Sequence, residues 1–252
     1  MMKPKFLLYA FIISALASGA NASEPRGNTQ FDSFNKSKKW MYKIYSHNPR
    51  TFYCDAEFKN RKIISDHGFS TDIYQKRALR TEAEHVVPAE NFGRSFKEWR
   101  DGHPSCIDQK GRAFKGRKCA EKSNRLYRLM QSDMYNLVPA IGAVNAARKN
   151  YNFTMLPKTQ NSIRSFGTCA MLISSKDRKA QPPLNARGAI ARTYLYMQYA
   201  YPRYNMSRQQ KQLMAAWDRA YPVTDWECKR SLAIERVQGN TNPIVKSRCN
   251  VN

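Results

Sequence analysis

The chain is short of acid. Its 252 residues hold 19 Asp plus Glu against 43 Lys plus Arg, a formal net charge of +24. A surface so poor in carboxylates excludes an acidic binding protein. Its partners are expected among polyanions, chiefly nucleic acid or anionic membrane surfaces. Long apolar runs are scarce as well. After the first 20 residues no uncharged stretch is long enough to cross a bilayer, which excludes a polytopic membrane protein and predicts no membrane insertion. There is no internal repeat, no low-complexity fibre pattern and no Pro/Ser/Gly linker, so one compact domain is expected. Disorder is excluded by the 42% hydrophobic content.

No Cys-x-x-Cys pair exists. The six cysteines, Cys54, Cys106, Cys119, Cys169, Cys228 and Cys249, stand at wide, irregular spacings, so zinc held by thiolates is not expected. All six follow a segment that reads as an export address. Residues 1–5 carry two lysines, residues 6–16 are mostly apolar, and small residues lead to Ala20-Asn21-Ala22. That is the order of a signal peptide with an A-x-A cleavage site. Removal of residues 1–22 after Ala22 is expected, leaving residues 23–252 as a secreted or periplasmic domain. In an oxidising compartment an even number of cysteines predicts three disulfides, with every pairing open.

Residues 33–45 predict a basic helix with Phe34, Trp40, Met41, Ile44 and Tyr45 as its apolar positions, ended by Asn48-Pro49. Two short β-like pieces follow, Thr51-Phe52-Tyr53 and Lys62-Ile63-Ile64. Residues 82–88 predict a strand closed by Pro88. Residues 93–116 read as loop-rich and basic, and Ser123 as a helix cap before Leu126, Leu129 and Met130. Residues 135–139 predict a second strand ended by Pro139, and residues 141–149 a short helix. Two strands and a helix thus follow Glu82 in order, split by a long insertion. The C-terminal third predicts helices. Ile190, Tyr194 and Met197 share one face, Ser207 with Gln210 and Thr224 with Glu227 form capping boxes, and Gly239 is a stop.

Histidine is scarce too: His47, His67, His85 and His103 are all there are. His85 follows Glu84. On an extended chain neighbours face opposite ways, so one can hold a metal while the other is aimed elsewhere. Asn145 lies in the predicted helix, with Arg148 and Asn150 nearby, and an amide oxygen is a hard ligand suited to Mg²⁺ or Ca²⁺. In Lys115-Gly116-Arg117-Lys118-Cys119 a guanidinium can grip a phosphate with two hydrogen bonds. Each feature alone is ordinary. Together Glu, His, Asn and Arg match phosphodiester hydrolysis, which needs a Lewis acid, a neutral base for water and a cation for the phosphoryl charge.

The block Glu84-His85-Val86-Val87-Pro88-Ala89-Glu90-Asn91-Phe92-Gly93 resembles the signature of the bacterial endonuclease I family. The likeness continues through Ser132-Asp133-Met134-Tyr135-Asn136-Leu137, Ile141-Gly142-Ala143-Val144-Asn145, Ala186-Arg187-Gly188-Ala189-Ile190-Ala191-Arg192 and Tyr221-Pro222-Val223-Thr224-Asp225-Trp226-Glu227-Cys228. The resemblance implies a ββα-metal nuclease core inside an α+β domain and one Mg²⁺, with Mn²⁺ or Ca²⁺ as alternatives; the sequence gives no strong sign of an oligomer, so a monomer is expected. It implies His85 as general base, Glu84 and Asn145 as metal ligands and Arg117 at the scissile phosphate. The expected substrate is double- and single-stranded DNA, and RNA, cut with little sequence preference to leave 5′-phosphates. Departures stand at Ala146-Ala147, Tyr135 and Gln131. Gln131 replaces a Glu that assists the metal through water, and with Asn150 it is expected just behind the ligands. The implied bridges are Cys54–Cys169, Cys106–Cys119 and Cys228–Cys249. The competing expectation is a non-catalytic cationic protein that binds extracellular DNA on an eroded nuclease scaffold.

Overall fold

The computed structural model describes residues 26–157 and 163–249; the expected signal peptide and its Ala22 site lie outside the described residues. Ser33 caps α1 (Phe34–Tyr45), accepting from the Lys36 amide, and the helix buries Met41, Ile44 and Tyr45 as one stripe. The hairpin β1 (Glu57–Lys59) and β2 (Lys62–Ser65) turns at Asn60 and Arg61, whose φ of 48° and 66° are those of a tight turn between twisted strands. A single turn, α2 (Gln75–Ala78), leads into β3 (Thr81–His85).

The long insertion is helical in short pieces: α3 (Ala89–Gly93), α4 (Lys97–Arg100), α5 (Arg117–Ser123) and α6 (Arg125–Gln131). A 3-10 turn, Met134–Asn136, then delivers β4 (Leu137–Ile141), which pairs antiparallel with β3 and places Glu84 opposite Val138 and His85 opposite Leu137. Every residue of β4 is buried, because α1 packs against it. The chain turns directly into α7 (Gly142–Arg148). Only glycine fits at 142, since a Cβ there would lie 2.6 Å from the Arg77 carbonyl oxygen.

A second sheet holds β5 (Asn152–Phe153), β6 (Ile163–Phe166), β7 (Cys169–Ser174) and β8 (Lys179–Gln181) in the order β5-β8-β7-β6, with β5 and β8 parallel. The long α8 (Leu184–Ala200) crosses the core with Ile190, Tyr194 and Met197 fully buried. It is followed by α9 (Arg208–Ala220), α10 (Asp225–Gln238) and α11 (Pro243–Lys246). Ser207 and Thr224 do cap α9 and α10, and Gly239, at φ 82°, ends α10. Three disulfides close, Cys54–Cys169, Cys106–Cys119 and Cys228–Cys249. Among the described residues no helix is long and apolar enough to cross a membrane.

Several expected elements differ. Residues 51–53 form a turn, not a strand: the Thr51 hydroxyl accepts the Ala56 amide, and Asp55 takes φ 54°. The cap of α6 is Asn124, which accepts from the Tyr127 amide, while the Ser123 hydroxyl turns back to the Cys119 carbonyl and closes α5. The first strand stops at His85, three residues before Pro88. There the Asn136 side chain replaces the ladder, accepting from the Val87 amide at 2.7 Å and donating to the Val87 carbonyl at 2.9 Å. Tyr135 and Asn136 lie in the 3-10 turn, and β4 runs through Pro139 to Ile141. A two-stranded sheet leaves Pro139 an edge where its missing N–H costs little.

Candidate active site

Strand alternation puts Glu82 and Glu84 on one face of β3 and His85 on the other. Glu84 is almost wholly buried. Tyr53 donates to its Oε1 at 3.1 Å and Arg148 Nη1 to the same oxygen at 2.7 Å. No hydrogen bond reaches Oε2 among the described residues. Burial pushes the Glu84 carboxyl up, and the Arg148 guanidinium pulls it back. Arg148, the last residue of α7, also donates to the carbonyls of His85, Val86 and Tyr151 and lies 4.4 Å over the Phe153 ring. It ties the end of β3 to α7.

Asn145, one turn earlier on α7, donates from Nδ2 to Glu82 Oε2 at 3.1 Å. A carboxylate only accepts, so the atom facing it is the amide nitrogen, and Oδ1 is left as an acceptor. Glu82 is itself fixed by Arg77, whose Nε donates at 3.0 Å, and by Arg80 at 3.1 Å.

His85 sits 2.8 Å by its Nε2 from the Gln131 carbonyl at the end of α6. That oxygen can only accept, so Nε2 carries the hydrogen and Nδ1 keeps its lone pair. The ring stacks on Phe34 at 4.9 Å between centroids and meets the edge of Phe92 at 6.4 Å. Burial, and then the Arg117 charge, push its pKa down to about 3. The imidazole is therefore neutral at physiological pH.

Arg117 opens α5 behind Gly116, whose φ is 78°, and the Cys106–Cys119 bridge anchors the helix two residues on. Its guanidinium lies 5.2 Å over Phe34 and donates to Gln131 Oε1 at 3.4 Å. Gln131 is fully buried, and its Nε2 has no hydrogen-bond partner among the described residues. Asn150 donates to Glu90 Oε2 at 2.6 Å and accepts from Arg178.

Glu84, His85, Arg117, Asn145 and Asn150 line one cleft of about 330 Å³, together with Phe34, Trp99, Glu90 and Lys149. Gln131 stands behind it. Among the other residues that depart from the family pattern, Tyr135 points away toward the C-terminal part of the chain, its hydroxyl facing the carbonyls of Ser231 and Asn240. Ala147 is buried in the core. Among the described residues no cluster of three or more His, Cys, Asp or Glu side chains is placed to hold a metal. Of the expected ligands, Glu84 keeps one carboxylate oxygen and Asn145 one amide oxygen without a hydrogen bond among the described residues, while the Glu90 carboxylate is engaged by Arg94 and Asn150. These hard ligands fit Mg²⁺ or Ca²⁺, whose remaining positions water and phosphate oxygens fill. They do not fit zinc, and every described cysteine is in a disulfide.

Tyr53, Glu82 and Phe34 join the cleft and its supports without being among the residues expected there, and Arg148 does more than neighbour Asn145. The i, i+2 spacing of Glu82 and Glu84 was a usable signal for Glu82. Nothing local marks Tyr53, which is 31 residues from its partner.

A model of the Endonuclease I family matches residues 23–249. The chain is 39% identical over 233 residues to an "Extracellular deoxyribonuclease" of Aeromonas hydrophila, covering 90% of this chain and 94% of the relative. A "Periplasmic deoxyribonuclease" of the same organism is 38% identical over 233 residues, covering 90% and 91%. An "Endonuclease-1" of Buchnera aphidicola subsp. Baizongia pistaciae is 35% identical over 252 residues, covering 97% and 96%.

Proposed function

The chain belongs to the endonuclease I family, and from that premise we propose that it is a secreted or periplasmic endonuclease hydrolysing phosphodiester bonds of DNA, and of RNA, with one divalent metal ion. One observation carries the reading: a neutral histidine, its tautomer set by a backbone carbonyl, shares a cleft with a carboxylate, an amide and a guanidinium. His85 Nδ1 takes the proton of the attacking water, a role that typically contributes ~10²–10⁴-fold. The Nε2–H bond to Gln131 holds the ring through that step. Glu84 and Asn145 would hold Mg²⁺, with Mn²⁺ or Ca²⁺ as alternatives. When bound, the ion polarises the phosphoryl oxygen and offsets charge on the leaving oxygen. Arg117 grips the phosphate and stabilises its developing charge. Breaking the bond to the 3′ oxygen leaves a 5′-phosphate. Gln131 and Asn150 support the cleft from behind and from its rim.

Residues 1–22 serve as the signal peptide in this reading, and the exported form is a monomer. The names of the Aeromonas relatives support both the DNA substrate and the location.

Supercoiled plasmid tests the reading. Purified protein is expected to nick and linearise it with Mg²⁺, to stop with chelator, and to lose cleavage in His85→Ala. Binding without cleavage, at every divalent ion tried, would leave the inert DNA-binding protein instead.

A further inference from the structure

The ring of Phe34 touches three functional groups at once. It stacks on His85 at 4.9 Å and 26°, it carries the Arg117 guanidinium at 5.2 Å, and Lys38 Nζ approaches it at 4.8 Å. It also lines the cleft. Arg117 has little else to aim it: its side-chain hydrogen bond to Gln131 is long, at 3.4 Å, and the residue is largely exposed. His85 has its edge fixed by the Gln131 carbonyl and meets the edge of Phe92, which leaves its open face to be set by a stacked partner. Phe34 is that partner.

Phe34 is the first residue of α1, and what holds it is the strap before it. The Arg26 amide bonds to the Ala200 carbonyl at 3.0 Å. Asn28 is completely buried. Its amide donates to the Tyr201 hydroxyl at 2.8 Å and its side chain to the Leu129 carbonyl at 2.9 Å. Gly27 lies so close to Tyr201 that a Cβ would fall 2.2 Å from the ring. The Leu129 carbonyl that receives Asn28 is two residues from the Gln131 carbonyl that receives His85. Strap and base therefore dock on the same last turn of α6.

We infer that Phe34 is a positioning residue for both the general base and the phosphate-binding arginine, and that the strap of residues 26–31 sets Phe34 in place. The inference rests on the roles given to His85 and Arg117 above. It predicts that exported protein trimmed beyond Asn28 keeps its metal ligands and loses its turnover.

Phe34→Leu tests it, because leucine keeps the apolar bulk without the flat face. Plasmid cleavage is expected to fall ~10²-fold in kcat, the scale of a small misplacement of reacting groups, with KM little changed. Phe34→Tyr should restore most of the rate. Asn28→Ala should lower kcat in the same sense. A second readout does not need turnover: long-range proton–nitrogen spectra of the imidazoles. Wild type should show His85 as a single Nε2–H tautomer, and Phe34→Leu a mixture. Wild-type kcat together with an unchanged His85 signal in Phe34→Leu would overturn the inference. Wild-type kcat in Asn28→Ala would remove the strap from it. A wild type that never cleaves would refute the proposed function, while the tautomer signal would still report whether Phe34 places the ring.

Discussion

Arg148 shows how much a buried charge can organise. Its guanidinium is 1% exposed and meets a carboxylate that is 4% exposed, so neither ion can be rescued by water if the other goes. Arg148→Met is expected to cost about 3–5 kcal/mol, the usual penalty for stranding one partner of a buried pair. Urea unfolding measures this; a midpoint equal to wild type would mean that Glu84 is neutral in the fold. Glu82 acts more gently. It turns the Asn145 amide, so Glu82→Ala should raise the Mg²⁺ concentration for half-maximal cleavage by ~10–100-fold while the fold persists. Cleavage titrated with Mg²⁺ checks that. His85 gives a pH prediction. Its folded pKa is about 3, below the ordinary value of 6.5, so between those values the unfolded chain binds a proton that the native protein refuses. Its contribution to stability is full above pH 6.5 and is lost as pH falls toward 3. Unfolding free energy of wild type should therefore drop faster with acid than that of His85→Gln, by up to ~1.4 kcal/mol per pH unit. Parallel curves would place the His85 ring in water. Acid and histidine are scarce in this chain, so the Glu84–His85 pair stood out in the sequence, whereas Asn145 and Arg117 are of common types and gained weight only from the family resemblance. Arg148 and Tyr53 were not legible, because their roles depend on partners that only the β3–β4 register and the path of residue 53 bring near.

At the scale of elements, α5 is a short helix with a heavy duty. It has seven residues, too few to be stable alone, and it must present Arg117. The Cys106–Cys119 bridge fixes it across a separation of 13 residues, with both cysteines fully buried. A loop of that size is stabilised by about 3 kcal/mol through its cross-link. The Cys106→Ser, Cys119→Ser double variant should lose about that much in urea and should slow cleavage through Arg117. Unchanged kinetics would mean that α5 is held by its packing alone. The strand-strand-helix order of the core was legible because β3, β4 and α7 each carry their own pattern. Their ends were not. Asn136 ended β3 through a side chain 49 residues away from Val87, and the Asn124 cap competed with an adjacent serine. The sheet of β5 to β8 escaped notice because its strands are short, two to six residues, and carry no strict apolar–polar alternation to read.

For the whole molecule the question is where the excess charge goes. Three acids in the interior are paired with arginine, Glu84 with Arg148 and Glu227 and Asp218 with Arg192, while the buried Asp133 is held by Tyr196, Tyr201 and Gln238. Among the described residues the lysines and arginines, apart from Arg148, Arg187 and Arg192, stand outside the buried core, and a surface of that kind meets DNA by releasing counterions. Affinity should then depend steeply on salt, with a log–log slope of about −0.9 for each phosphate neutralised. Measured on duplex DNA with the cleavage-dead His85→Ala protein, binding is expected to weaken by ~10³-fold or more between 50 and 200 mM salt, the range for six to ten contacts. Arg117→Ala separates the site from the surface. If Arg117 meets a phosphate, its removal should flatten the slope by about one unit and leave the rest of the charge at work. A slope that stays the same while cleavage collapses would mean that Arg117 acts on the reaction without holding the ground-state phosphate. A slope near zero in the parent would mean that the positive charge, however large, is not arranged where DNA lies.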